Sequence, residues 1–391
     1  MSTIRPITRR HVLRLAGGMG LAVAGGGAVF AAAGGAGSTR AHAVHQAATP
    51  EAATMPPLGE HADGTRTWHV KVGGMDMEHL IDVQAFLPTE VTINAGDAIW
   101  FEFSDMPGFH TVTFTSGEEP PPLAYPDPDA ATPTDEPPTL IFNPDLLFPV
   151  GGDTYDGTDL VNSGADILRD ATAPPFVLAL TEPGTYEYLC VVHAMVMKGT
   201  VIVQEAGAEL PHDQAAYDRM AEEQFAALVE EGLAAAAEFA EPAATERADG
   251  TTLWDVAAGV GADQARVFRM LPDVIEISVG DTIRWVNHSP GEPHTVTFLG
   301  GEEPPQDLMV EPQPDGPPKF VQNNLTLLPQ GGDVFSGSGY HNSGFMGPEF
   351  VGIESYELTF VTPGEFDYLS ILHGRPDGTG MAAKVIVSGD S

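Results

Sequence analysis

The sequence predicts an all-β molecule: two tandem Greek-key β-sandwiches joined by a helical linker. Three observations predict it. Gly and Pro are abundant, 44 and 34 of 391 residues, a bias toward short strands and turns. Long segments of the first half recur in the second. Between the two copies, one stretch carries apolar residues at helical spacing.

The repeat is the organising feature. His110-Thr111-Val112-Thr113-Phe114 recurs as His294-Thr295-Val296-Thr297-Phe298, each followed by Gly-Glu-Glu-Pro-Pro. Gly151-Gly152-Asp153 and Asn162-Ser163-Gly164 recur as Gly331-Gly332-Asp333 and Asn342-Ser343-Gly344. Pro183-Gly184 and Tyr188-Leu189 recur as Pro363-Gly364 and Tyr368-Leu369, at an offset that stays within 180–184 residues. One module is therefore used twice, over 66–204 and 252–391.

Within a module the apolar runs are short and bounded by turn residues, as strands are. Val91–Ile93, the turn Gly96-Asp97 and Ala98–Phe103 read as strand, turn, strand, and Ile275–Val279, Gly280-Asp281 and Thr282–Val286 repeat them. Further strands are expected near 111–114, 176–181, 186–191 and 199–203. Seven or eight short strands per module predict a sandwich. The Pro/Asp-rich stretch 117–160 is not strand-like and is expected to be a surface lid near one end. In the linker, 205–251, Tyr217, Ala221, Phe225, Leu228, Leu233, Ala236 and Phe239 recur every three or four residues, which predicts a helix over about 213–239, closed by Pro242 and packed on one sandwich.

The first 43 residues read as an export signal. Thr8-Arg9-Arg10-His11-Val12-Leu13-Arg14 has the pattern of a twin-arginine signal. A Gly-thinned apolar stretch follows, a poor permanent membrane span, and Ala41-His42-Ala43 offers a cleavage site. Residues 44–65 are expected to be a flexible lead-in. The mature protein is expected in the periplasm or outside the cell, without stable membrane insertion.

The net charge is −38. The signal holds five arginines and no acids, so its removal leaves 12 basic against 55 acidic residues. That balance excludes nucleic acid and anionic membranes as partners. It suits a basic protein partner, or a solubility or high-salt adaptation. The oligomeric state is not legible.

Cys190 is the one cysteine. Outside the cytoplasm it has no internal disulfide partner, so metal binding is one reason for it. It opens the run Cys190-Val191-Val192-His193-Ala194-Met195-Val196-Met197-Lys198-Gly199. His110 precedes a β-rich run about eighty residues upstream. A thiolate, two imidazoles and a weak thioether are the donors of a blue-copper site.

This pattern resembles the cupredoxins, the family of plastocyanin, pseudoazurin, amicyanin and halocyanin. The resemblance covers the first module apart from its insertion, and the second in weaker form. It implies one type 1 copper per chain, held by His110, Cys190, His193 and Met197, and single-electron transfer to a protein partner without catalysis. It implies that His193 is the exposed imidazole near which electrons enter. Met197 directly precedes the last strand, where the family places its axial residue; Met195 is the alternative.

The second module has Ser370 where Cys190 stands, with His294, His373 and Met381 retained. Serine is a poor copper ligand, so this module is expected to be metal-free or a weak His-only site. Enzymatic readings fit less well. The chain has no His-x-His pair for a trinuclear cluster, and Leu189 stands where copper nitrite reductases place a histidine. A copper-storage protein is the rival from another class. Met75, Met77 and His79, with His294, His341 and His373, would serve it.

Overall fold

The computed structural model describes residues 58–104, 108–130, 138–169, 173–289, 291–347 and 352–389. The expected export signal, its expected cleavage site and most of the expected lead-in lie outside them. The lead-in is ordered at its end: Gly59–Glu60 pairs antiparallel with Arg66 and Thr67.

Each module is built from two five-stranded layers with the same strand order. In the first, Ile81–Leu87, Arg66–Asp76, Ala98–Phe103, Phe176–Leu180 and Thr154–Tyr155 lie side by side; Val161–Asn162, Thr113–Phe114, Gly184–Leu189, Lys198–Gln204 and Glu90–Asn94 form the facing layer. The second module repeats both orders. Ala265–Leu271, Thr252–Gly261, Thr282–His288, Ser355–Phe360 and Val334–Phe335 make one layer, and His341–Asn342, Thr297–Phe298, Gly364–Gly374, Gly380–Ser388 and Val274–Ser278 the other. The protein is all-β apart from its linker helix and short helical turns.

The alternation read in the sequence becomes burial. Val177 and Ala179 are partly exposed while Phe176, Leu178 and Leu180 are buried. Between the layers, Tyr188 stacks on Phe114 with centroids 4.9 Å apart, and Tyr368 on Phe298 at 5.0 Å. Such pairs contribute about 0.5–1.5 kcal/mol beyond area burial. The Gly96-Asp97 turn is fixed from inside. Gly96 takes a φ of 95°, open to glycine at little cost. The Asp97 carboxylate accepts from the Arg66 and Asn94 amides and from Trp68 Nε1 at 2.8, 3.1 and 2.9 Å. Asp281 does the same for Thr252, Ser278 and Trp254.

The modules share a sheet. Ile81–Leu87 pairs antiparallel with Ala265–Leu271 through Ile81↔Val267, Asp82↔Arg266 and Val83↔Ala265, making one continuous 12-stranded sheet. Two sheet edges that would otherwise stand open are thereby closed. The linker helix, Gln214–Ala237, is capped by Asp213, whose side chain accepts from the Ala216 amide. It bridges the two sandwiches, packing across this seam on strands of both modules. Gly232 lets it approach Ile81 of the first module and Ala265 of the second together. Tyr217 Oη accepts from the Thr92 amide at 2.7 Å and pins its first turns to the first module. Among the described residues no helix is long and apolar enough to cross a membrane.

The stretch 117–160 differs from expectation. It carries strands Ala124–Pro126 and Leu140–Phe142, which join Lys319–Gln322 and Leu308–Glu311 of the second module in a four-stranded sheet. The physical reason is the apolar triplet Leu140, Ile141 and Phe142, buried in that sheet, with the ion pair Lys319 Nζ to Asp127 Oδ2 at 2.7 Å beside it. Each insertion covers the other.

Candidate metal centre

Three segments deliver the site. Phe109 sits in the left-handed region at φ 54°, which costs a non-glycine residue about 1–2 kcal/mol. It is buried, against Phe142 at 6.1 Å, and that packing holds the turn presenting His110. The buried Asp166 completes the anchor, accepting from the His110 amide at 2.7 Å and the Gly108 amide at 3.3 Å. Burial pushes its carboxyl up to about 6.

The second segment is the loop between Gly184–Leu189 and Lys198–Gln204. It closes on itself: the Cys190 amide donates to Met197 O at 3.0 Å, and the Met197 amide to His193 O at 2.8 Å. The third is a hydroxyl chain tying the loop to the upstream strand. Val191 N donates to Thr111 Oγ1 at 2.9 Å, Thr111 and Thr113 share a bond of 3.0 Å, and Thr113 Oγ1 donates to Asn162 Oδ1 at 2.8 Å. The Thr111 amide points at Cys190 Sγ from 3.4 Å.

These restraints bring His110, Cys190 and His193 together, their donor atoms all within 4.8 Å of one another and all three residues buried. His110 Nδ1 lies 3.2 Å from His193 Nδ1, and Cys190 Sγ lies 3.6 Å from the same nitrogen. Met197 is fully buried in the core that contains Cys190, whereas Met195 is 70% exposed. One soft sulfur and two imidazole nitrogens, converging and dry, are a donor set that fits copper.

His193 is not exposed. It is 4% accessible, and the second module covers it. Its Nε2 lies 3.5 Å from Glu292 Oε2, and Glu292 is itself fully buried. The other oxygen, Oε1, lies 3.0 Å from His373 Nε2, and Gln84 Nε2 donates to Oε2 at 2.6 Å. Burial alone would favour a neutral carboxyl; His193 and His373 instead hold Glu292 well below the usual range. Burial likewise opposes a His193 cation, but Cys190 and Glu292 push it up to about 10. His110, desolvated and facing His193, is held well below the ordinary histidine range.

Glu292, Gln84 and Asp166 are the site's partners that sequence reasoning missed. Asp166 stands four residues past Asn162 of the repeated Asn-Ser-Gly, where the second module has Met346. That departure from the repeat was the available signal. Glu292, two residues before the repeated histidine and opposite Gly108 of the first copy, was another.

Of the residues invoked for copper storage, His79 and His341 are engaged elsewhere. His79 Nδ1 lies 2.9 Å from Asp76 Oδ1, and Met77 is exposed. Both His341 nitrogens face backbone carbonyls, of Gly339 and Val334, at 3.2 and 3.1 Å.

No family model and no curated protein matches the chain. Solved structures do. A Cu(I) form of an amicyanin mutant is 23% identical, over 39% of this chain and 90% of its own, with a TM-score of 0.20. A reduced amicyanin mutant is 23% identical, over 38% and 92%, at 0.20. Pseudoazurin from Methylobacterium extorquens AM1 is 17% identical, over 40% and 98%, at 0.21.

Proposed function

We propose that the protein is an exported blue-copper electron carrier, its single type 1 copper held by His110, Cys190, His193 and Met197. The observation that carries this reading is the buried convergence of one thiol and two imidazoles, their donor atoms within 4.8 Å of one another. When bound, copper supplies a one-electron couple between Cu(I) and Cu(II). The chain's own part is to prepare the site. Asp166 and Phe109 fix the His110 backbone, the loop's internal hydrogen bonds fix Cys190 and Met197, and the Thr111 amide offers a weak hydrogen bond to the sulfur. Glu292 Oε2 lies 3.5 Å from His193 Nε2, and a carboxylate on that side favours the tautomer that leaves Nδ1 free for metal. Its negative charge favours the more positive metal state.

The protein partner is read as basic, because the chain is strongly acidic. The periplasmic or extracellular location rests on the twin-arginine pattern at Arg9-Arg10. A role as carrier, not catalyst, rests on Leu189 beside the cysteine and on the absence of His-x-His from the sequence.

Cys190→Ser tests the reading. The copper-loaded wild-type protein should show the intense visible absorption of a thiolate–Cu(II) bond, and the variant should lose it while keeping its far-ultraviolet circular dichroism. A coloured variant, or a colourless loaded wild type, would sink the assignment.

A further inference from the structure

The second module keeps more of the donor geometry than its missing cysteine implies. His294 Nδ1 and His373 Nδ1 face each other at 3.1 Å, as His110 and His193 do at 3.2 Å. The supporting bonds are duplicated. The Thr295 amide donates to Ser370 Oγ at 3.2 Å, the Ile371 amide to Thr295 Oγ1 at 2.8 Å, and Thr297 Oγ1 to Asn342 Oδ1 at 2.9 Å. Gly259 leaves room for His294 Nε2, where a Cβ would clash, just as Gly73 does for His110 Nε2. Met381 is fully buried. It directly precedes Ala382, the register partner of Leu369, as Met197 directly precedes Lys198, the partner of Leu189.

A second, independent observation concerns the imidazoles themselves. His373 turns Nε2 toward Glu292 Oε1 at 3.0 Å, without hydrogen-bond geometry, and Nδ1 toward His294. His294 Nε2, on the far side of the ring against Gly259, has no hydrogen-bond partner, so the ring's nitrogen facing His373 is Nδ1. Phe268 stacks on His373 at 4.0 Å and keeps that ring from turning away.

We propose that His294 and His373, with Met381, form a second metal site that takes a soft monovalent cation, Cu(I). The donors are two neutral nitrogens and a thioether, with only the Ser370 hydroxyl where the thiolate would be. Neutral nitrogen and thioether donors match Cu(I). The desolvation cost of an ion grows steeply with its charge, so a buried site without an anionic donor disfavours divalent metals. Glu292, in contact with His373, supplies a compensating negative charge. The same carboxylate touches His193, so a single side chain bridges the two sites. The inference rests on these donors and not on the blue-copper reading of the first module.

The test is an anaerobic titration of the full mature chain with Cu(I) buffered by a chromophoric chelator, counting copper bound per chain. His294→Gln should lower the count by one relative to wild type, with circular dichroism and the visible band of the oxidised first site unchanged. Ser370→Cys restores the missing donor and should add a second thiolate–Cu(II) band on oxidation, roughly doubling the visible absorbance. Equal Cu(I) counts in wild type and His294→Gln overturn the proposal, and so does a Ser370→Cys protein with no added band. A colourless oxidised wild type whose Cu(I) count still falls by one on His294→Gln overturns the first-module reading and leaves this one standing.

Discussion

Met195 and Met197 are two residues apart and occupy different solvents. The first is 70% exposed and the second fully buried beside Cys190. The sequence left the axial thioether to be chosen between them; the proposed site takes Met197, because a donor to a dry centre has to be dry itself. A weak axial donor stabilises Cu(II). Met197→Leu should therefore raise the reduction potential, read by redox titration of the visible band, whereas Met195→Leu should leave it where it is. A shift confined to Met195→Leu would reverse the choice. The clustering of His110, Cys190 and His193 was legible because a cysteine and two histidines at family-like spacing stand out. The concealment of His193 was not, because its cover comes from Glu292, about a hundred residues later in the chain. No local pattern encodes a contact made by joining two modules.

The strand Ile81–Leu87 shows what an element gains from its neighbours. It is buried along its whole length, although Asp82 and Gln84 alternate with its apolar residues. Alone it reads as a half-exposed strand; paired with Ala265–Leu271 and roofed by the helix it has no wet face. Asp82 faces His193, Glu292 and Arg266, and burial pushes its carboxyl up to about 7. Its folded form thus prefers the proton. The stability this provides is complete below the ordinary carboxylate pKa of ~4 and is lost as pH rises through about 7. Asp82→Asn, which cannot ionise, should gain on wild type in unfolding free energy, measured by urea titration, as pH is raised from ~4 to ~8, by a few kcal/mol in all. A difference that stays flat with pH would mean that Asp82 is solvated. The helix was legible from its 3–4 spacing, but not the surface it covers. The insertion strands were missed because Leu140, Ile141 and Phe142 are too short a signal inside Pro- and Asp-rich sequence.

At the scale of the whole molecule, charge sets the conditions under which these contacts hold. With 55 acids against 17 basic residues, surface carboxylates repel one another in the compact state. The exposed ion pairs, such as Arg66–Glu60 at 3.1 Å, each return less than about 1 kcal/mol. Raising ionic strength from ~0.01 to ~0.15 M shortens the screening length from ~30 to ~8 Å. The melting temperature should rise across that range, followed by circular dichroism; a fall would show that specific ion pairs outweigh the general repulsion. The sandwich architecture was legible because turn residues, strand spacing and an internal repeat all point to it. The shared sheet was not, since either edge strand could have been left open.

That shared sheet has one more consequence. Two identical chains meeting edge to edge along the same seam would have to be alike on both sides of it: a thiol at both sites, or at neither. Linking the halves by one polypeptide lifts that constraint. Cys190 can stand on one side and Ser370 on the other, and Glu292 can reach from one half into the other with no counterpart reaching back. The molecule has the frame of a symmetric pair and the freedom to give its two centres different chemistry.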